Sequence, residues 1–228
     1  MIGNYPILIA VIGGFIPAFL WLLFWLREDP HPEPKGLLFI TFLIGMASVI
    51  LIVPLEQFAR ANFTQSTGLT VVWAALEEII KYFAVAVVAL KSAAVDEPID
   101  YPIYFITAAL GFASFENTLF LIHPLTTDQA TVSLLTGSLR FLGANLLHST
   151  ASALVGISLG LAFYQGWLSR KIHLFIGLAA AVTLHSIFNF FIIKNSGGSF
   201  FGIFGFLWVA TIITFLLFEK LRRLNNLE

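Results

Sequence analysis

Residues 69–90 read LTVVWAALEEIIKYFAVAVVAL, a run that is long enough and apolar enough to cross a membrane as a helix. Three charged residues, Glu77, Glu78 and Lys81, interrupt this run near its centre. A charged side chain at the centre of a bilayer costs about 2.5–3.5 kcal/mol on insertion scales, so such a residue is a functional hypothesis by default. The stretch therefore predicts a membrane helix whose charges meet partners on other helices.

The rest of the chain has the same apolar character. Of the 228 residues, 58% are hydrophobic and 11% are charged, which is the composition of a polytopic membrane protein. The segments that reach the ~20 residues needed to span a bilayer are 5–26, 36–55, 69–90, 100–122, 137–163, 172–193 and 200–218. Because the linkers are short, we predict an all-α bundle of about seven transmembrane helices in a single domain, residues 1–228.

The charges predict an orientation in the membrane and exclude some partners. Cytoplasmic loops keep an excess of Lys and Arg. Only Arg60 and Lys194 lie in loops on one side, whereas the opposite side carries Arg27, Lys35, Lys91, Arg170, Lys171, Lys220, Arg222 and Arg223. We therefore expect the N-terminus outside and the C-terminus in the cytoplasm. With a net charge of -1, the chain has no basic surface for nucleic acid, so its expected partners are the lipid bilayer and membrane proteins.

Ionisable residues inside four predicted spans lie at a similar depth. They are Glu77, Glu78, Lys81, Glu116, His148 and His185. At about 1.5 Å per residue, the carboxylate and imidazole groups lie about 9–16 Å below the outer ends of their spans. Since neighbouring helices alternate in direction, chance would scatter them over several depths. We predict one polar constellation in the outer half of the membrane.

Glutamate and neutral imidazole are ligands for Zn²⁺, and either group beside a water molecule is a general base. Both arrangements lead to hydrolysis by water. Cysteine chemistry is excluded because the chain has no Cys, and neither an H-E-x-x-H nor a G-x-S-x-G motif occurs. The four Asp residues all fall in loops or at span ends, which argues against a membrane-embedded aspartyl dyad. A structural polar cluster without chemistry stays open at this point.

The ionisable residues belong to motifs that resemble the PrsW family of intramembrane proteases. These are E-E-x-x-K at 77–81, G-F-x-x-F-E-N at 111–117, Arg140 eight residues before His148, and H-x-x-x-N at 185–189. The resemblance covers residues 73–191. The paired glutamates and the later His and H-x-x-x-N motifs are also similar to motifs in the CAAX prenyl endopeptidase and bacteriocin-processing superfamily. It implies a multi-pass protein of a bacterial plasma membrane that cleaves a membrane-anchored substrate, typically making the first cut in an anti-sigma factor.

The resemblance also implies site residues. They are Glu77, Glu78, Glu116, His148 and His185, and we add Lys81 and Asn189. In our role assignment Glu78 activates the water, Glu77 is held by Lys81, and Asn189 donates to the oxyanion. Phe120 stands where the family pattern has Tyr.

The resemblance leaves the metal undecided. Glu116, His148 and His185 either bind Zn²⁺ as a three-ligand open site or, without metal, hold the water and polarise the scissile carbonyl. Two other classes of function use the same residues. A proton-coupled transporter would use them as a relay, and a non-catalytic scaffold would use them for packing. The absence of internal repeats argues against the transporter.

One further motif concerns packing. Gly156 and Gly160 form a G-x-x-x-G in the fifth predicted span. Small residues at this spacing let two membrane helices approach closely. We predict that this face packs tightly against another helix.

Overall fold

The computed structural model describes residues 5–63, 66–126, 143–195 and 200–225. Within these ranges all the regular elements are helices and there is no strand. The helices are α1 (Pro6–Leu26), α2 (Lys35–Asn62), α3 (Ser66–Val88), α4 (Asp100–Thr126), α5 (Asn145–Leu161), α6 (Trp167–Asn195) and α7 (Phe200–Asn225). This architecture confirms the prediction of an all-helical membrane bundle.

Five of these helices are long and apolar enough to cross a membrane: α1, α2, α4, α6 and α7. The other two helices do not meet these criteria of length and composition. Every 18-residue window of α3 contains three charged residues, Glu77, Glu78 and Lys81, and α5 has only 17 residues. The predicted fifth span, 137–163, lies partly outside the described residues. The chain is a multi-pass membrane protein.

Helix α2 is longer than the sequence predicts. It continues to Asn62, whereas the predicted span ends at residue 55 and leaves Glu56 and Arg60 in a loop. The extra turns are rich in Glu, Gln, Ala and Arg, which are good helix formers although they are too polar for a hydropathy pattern. This extension brings Glu56 and Arg60 to the wall of the candidate site described below.

Helix α4 lies at the centre of the bundle and packs most extensively against α1, α2 and α5. Glycines make the closest of these approaches possible. A Cβ added to Gly111 of α4 would lie 2.1 Å from the backbone oxygen of Phe42, and one added to Gly45 of α2 would lie 2.1 Å from that of Ala108. The two backbones are therefore in direct contact, which fixes the depth of α4 relative to α2.

The G-x-x-x-G motif has the packing role that the sequence predicts. A Cβ on Gly156 would lie 2.4 Å from the Cα of Pro102, and a Cβ on Gly160 would lie 2.4 Å from the backbone oxygen of Pro98. Helix α5 thus packs closely against the beginning of α4. On its other side, Thr150 of α5 shares a hydrogen bond of 3.0 Å with Thr211 of α7.

The connections α1–α2 and α3–α4 meet at the opposite end of α4 from the candidate site. The Tyr104 hydroxyl donates to the Glu33 carboxylate, and His31 Nδ1 lies 2.8 Å from Glu97 Oε1. Asp29 is buried beside them, with Oδ1 accepting from the backbone N–H of His31 at 3.0 Å. Burial raises the pKa of Asp29 to about 6, and the nearby carboxylates of Glu33 and Glu97 contribute in the same direction.

Candidate active site

Four helices bring the ionisable residues predicted from sequence into one cluster. Helix α3 supplies the two adjacent glutamates and the lysine, α4 supplies Glu116, α5 supplies His148 and α6 supplies His185. Direct contacts of 2.7–3.9 Å connect these side chains. Residues as distant in sequence as Glu78 and His185, which are 107 positions apart, therefore belong to a single polar centre inside an apolar bundle.

Both carboxylate oxygens of Glu78 have hydrogen-bond partners within this centre. Oε1 accepts from Lys81 Nζ at 2.7 Å and from His185 Nδ1 at 2.9 Å, and Oε2 accepts from Ser152 Oγ at 3.2 Å. Its side chain is only 1% exposed. A carboxylate in this position orients its neighbours but has no free oxygen for a water molecule.

Lys81 connects α3 to α5. Its ammonium lies 2.7 Å from Glu78 Oε1, 2.7 Å from His148 Nδ1 and 3.7 Å from Glu77 Oε2. It also lies 4.6 Å from the centroid of the Phe112 ring, in a cation–π contact. From sequence we expected Lys81 to hold Glu77, whereas its shorter contact is to Glu78. Helical spacing permits both pairings, and Lys81 makes the shorter one while its ammonium also contacts His148 of α5.

The two imidazoles are oriented in the same way. His148 Nε2 lies 3.1 Å from Glu116 Oε2, and His185 Nδ1 lies 2.9 Å from Glu78 Oε1. A carboxylate only accepts, so each of these ring nitrogens carries the hydrogen and the other nitrogen of each neutral ring has the lone pair. Those second nitrogens, His148 Nδ1 and His185 Nε2, lie 3.9 and 3.8 Å from Glu77 Oε2. Both lone pairs therefore lie close to the same oxygen.

Glu77 Oε2 is buried and has no hydrogen-bond partner among the described residues. An unpaired carboxylate oxygen in a low-dielectric site is costly, so we expect this oxygen to bind a water or a cation. Glu77, His148 and His185 offer three ligand atoms that all lie within 4.8 Å of one another. This group differs from the metal set expected from sequence, in which Glu116 takes the place of Glu77; the assignment of Glu116 as a ligand stays a prediction.

The donor set fits Zn²⁺. Zn–N and Zn–O bonds of about 2.0–2.2 Å put two tetrahedral ligands about 3.3 Å apart. The distances from Glu77 Oε2 to the two imidazole nitrogens, 3.8 and 3.9 Å, exceed this by only about half an ångström, and all three ligand atoms lie within 4.8 Å of one another. Each imidazole already has a carboxylate on its far nitrogen, which is the usual arrangement around a metal-bound histidine. Lys81 opposes this fit, because its ammonium occupies His148 Nδ1 and must yield that nitrogen to a cation.

The polar centre lies at one wall of a cavity of about 780 Å³ between α2, α3, α4, α5 and α6. Glu77, Glu116, His148 and His185 line it, as does Asn189, which the sequence assigns to the oxyanion. Phe120 also lines the cavity and adds an apolar ring to its wall. The cavity is large enough for a segment of polypeptide.

Two cavity residues were not identified as site residues from sequence. The Glu56 side chain hydrogen-bonds to that of Glu77, and its backbone oxygen accepts from Trp73 Nε1 at 3.1 Å. Arg60 lies one turn further along α2. The sequence signal for them is that Glu56 and Arg60 continue, at intervals of three and four residues, the pattern of the apolar residues that precede them in α2. Arg140, which is part of the sequence motif, lies outside the described residues.

Comparisons with known proteins identify the family of the chain and several relatives. A family model described as PrsW family intramembrane metalloprotease matches residues 33–218. The chain is 27% identical to Protease PrsW of Halalkalibacterium halodurans, with 98% of this chain and 99% of that protein covered. It is 25% identical to Protease PrsW of Geobacillus kaustophilus (89% and 88% covered) and 24% identical to that of Bacillus subtilis (92% and 90% covered). No solved structure matches the chain.

Proposed function

The chain belongs to the PrsW family and is an intramembrane protease. From that premise we propose that it hydrolyses a membrane-anchored protein with Glu77 as the catalytic residue that activates water. The observation that carries this proposal is the buried, unpartnered Glu77 Oε2, which lines the cavity and lies within 4 Å of two oriented imidazoles. Family membership sets aside the transporter and scaffold alternatives.

In this proposal Glu77 is the general base. It takes a proton from a water molecule whose oxygen attacks the scissile carbonyl carbon, and it then delivers that proton to the leaving amine nitrogen. The lone pair of His185 Nε2 accepts a hydrogen bond from the same water, while His148 Nδ1 accepts from Lys81. The side-chain amide of Asn189, on the cavity wall, donates to the oxyanion.

Glu78 and Lys81 act as positioning residues. Glu78 fixes the hydrogen on His185 Nδ1, and Glu116 fixes the hydrogen on His148 Nε2. Lys81 supplies the positive charge that makes two adjacent buried glutamates tolerable. This assignment reverses the roles that we gave to Glu77 and Glu78 from sequence. The reason is that Glu77 has a free oxygen at the cavity and Glu78 has none.

The same centre is compatible with a bound metal. Glu77, His148 and His185 would hold it, which leaves a coordination position open toward the cavity. When bound, Zn²⁺ would lower the pKa of a coordinated water and polarise the carbonyl. In that case Glu116 and Glu78 keep the imidazoles oriented as they are now.

The proposed substrate is an anti-sigma-factor-like protein with a single span. The loop charges favour an orientation with the N-terminus outside, which places the site in the outer half of the membrane. A peptide bond within a regular helix is hydrogen-bonded and inaccessible, so the substrate must unwind before it is cut. Unwinding is easier near the interface, where water satisfies the freed backbone groups.

Mapping the cut tests this proposal. Purified protein would be reconstituted with a single-span substrate, and the products would be identified by mass spectrometry. We expect one cut near or just beyond the outer end of the substrate span. A cut in the cytoplasmic half of the span would contradict the proposed orientation, and the absence of any product would contradict the proposed function.

A further inference from the structure

The face of α2 that lines the cavity changes from apolar to charged along the helix. Val49, Ile52 and Val53 line the part nearer the middle of α2, and Glu56 and Arg60 follow toward its C-terminal end. These positions recur at intervals of three and four residues, so they form a single stripe. One wall of the cavity therefore has an apolar half and a charged half.

Exposed apolar side chains from three helices border the cavity. Val53 of α2, Phe120 of α4 and Ile192 of α6 line it and are 36%, 52% and 44% exposed, respectively. Exposed apolar surface of this kind in a spanning bundle is in contact with lipid. The cavity is thus open toward lipid, and an apolar segment of another membrane protein can enter it without crossing water.

Arg60 is at the charged end of this wall. It is exposed and forms no ion pair with any residue in the described ranges. Glu56, four positions earlier on the same helix face, hydrogen-bonds Glu77 instead. A guanidinium offers five donors in a planar fork that matches a carboxylate. A guanidinium that has no ion-pair partner within the described ranges, on the wall of a substrate cavity, fits an anionic group on the substrate.

We propose that Arg60 is a specificity residue that binds an acidic side chain of the substrate, just beyond the substrate's apolar span. The inference rests on the proposed function, because it takes the cavity as the place where substrate is cut. The apolar half of the α2 stripe holds the end of the span, and Arg60 pairs with the carboxylate that follows it.

The geometry sets the position of that acidic residue. Glu56 contacts the proposed base, Glu77, and Arg60 lies about 6 Å further along α2 at about 1.5 Å per residue. An unwound substrate advances about 3.3 Å per residue. The acidic residue therefore lies about two residues from the cut bond, on the side facing the C-terminal end of α2.

The test is a charge exchange between enzyme and substrate. Single-span polypeptides carrying Glu, Gln or Lys at each of the first four positions beyond the apolar segment would be reconstituted in phosphatidylcholine vesicles. Wild type would be compared with Arg60→Glu and Arg60→Gln. The control is Lys35→Glu, which makes the same charge change as Arg60→Glu at the exposed beginning of α2, away from the cavity. Cleavage is measured as kcat/KM, and binding of the uncleaved polypeptides is measured by fluorescence anisotropy.

We expect wild type to prefer Glu over Lys by about tenfold at one position, which is the effect of one charge-assisted hydrogen bond. Arg60→Glu should reverse the preference, Arg60→Gln should abolish it, and Lys35→Glu should keep it. Equal use of Glu and Lys at all positions would overturn the inference while leaving the proposed function intact.

Lipid binding is the competing role for Arg60. If Arg60→Glu lowers the cleavage of all polypeptides equally, and only in vesicles with anionic lipid, then Arg60 binds a headgroup and the inference fails. If wild type cleaves none of the polypeptides, the proposed function fails instead. The binding preference then still decides whether Arg60 selects acidic segments.

Discussion

Glu77 and Glu78 are adjacent, yet their contacts predict very different effects of the same substitution on stability. Glu78 accepts three hydrogen bonds, and its partner Lys81 is 1% exposed. Glu78→Gln removes the nearest negative charge from that ammonium and leaves only Glu77 Oε2 at 3.7 Å. Breaking a buried ion pair by removing one partner costs about 3–5 kcal/mol. Glu77→Gln removes the more distant of the two negative charges near Lys81, at 3.7 Å, and the Gln amide can still hydrogen-bond the Glu56 side chain, so its cost should stay below about 1 kcal/mol.

The assay is thermal unfolding of both variants in one detergent, followed by the fluorescence of the five Trp residues. For a chain of this size, 1 kcal/mol shifts Tm by about 2–4 °C. Glu78→Gln should therefore lower Tm by at least about 6 °C, and Glu77→Gln by no more than about 4 °C. Equal losses in the two variants would refute the assignment of Glu78 as the positioning residue and Glu77 as the cavity-facing one.

Three further outcomes follow from the contacts. If Glu77, His148 and His185 hold a metal, the purified protein should carry about one equivalent of zinc, and the His185→Ala variant should carry none. A metal-free preparation with full activity would exclude a metal requirement. The pKa of Asp29 is raised to about 6 in the folded protein, so the stability that this residue contributes is lost as the pH rises from about 4 to about 6. Asp29→Asn should therefore raise the free energy of unfolding by up to about 3 kcal/mol at pH 7.5 and by almost nothing at pH 4. An equal effect at both pH values would contradict this account. Gly156→Ala should lower Tm through the contact with Pro102, by about 1–3 kcal/mol in stability, whereas Gly166→Ala, which has open space around it, should not.

The sequence was sufficient to predict the membrane bundle and the cluster, because polar residues in apolar spans are conspicuous. Their depth could be counted along each span at a constant rise per residue. Gly156 and Gly160 likewise revealed a packing face, since small residues four apart in a spanning helix are typical of close helix packing. These features depend on local sequence alone.

Features that depend on how helices are rotated could not be predicted in this way. Glu77 and Glu78 differ by about 100° around α3, and sequence does not say which of them points to the cavity. Glu56 and Arg60 were missed for a different reason. In the sequence, charged residues that follow an apolar run look the same whether they continue the helix or begin a loop. Only tertiary contacts, such as the hydrogen bond from Trp73 to the Glu56 backbone oxygen, show that α2 continues.

The central claim is that the Glu77 carboxylate activates the water, and the turnover of Glu77→Gln tests it most directly. The measurement is kcat on one single-span substrate, with Glu219→Gln as a matched change at a glutamate of α7 that pairs with Arg222 and Arg223. Loss of a general base should lower kcat by about 10²–10⁴-fold in Glu77→Gln, with Tm nearly unchanged, while Glu219→Gln keeps wild-type turnover. A Glu77→Gln enzyme that turns over within a few-fold of wild type would contradict the account.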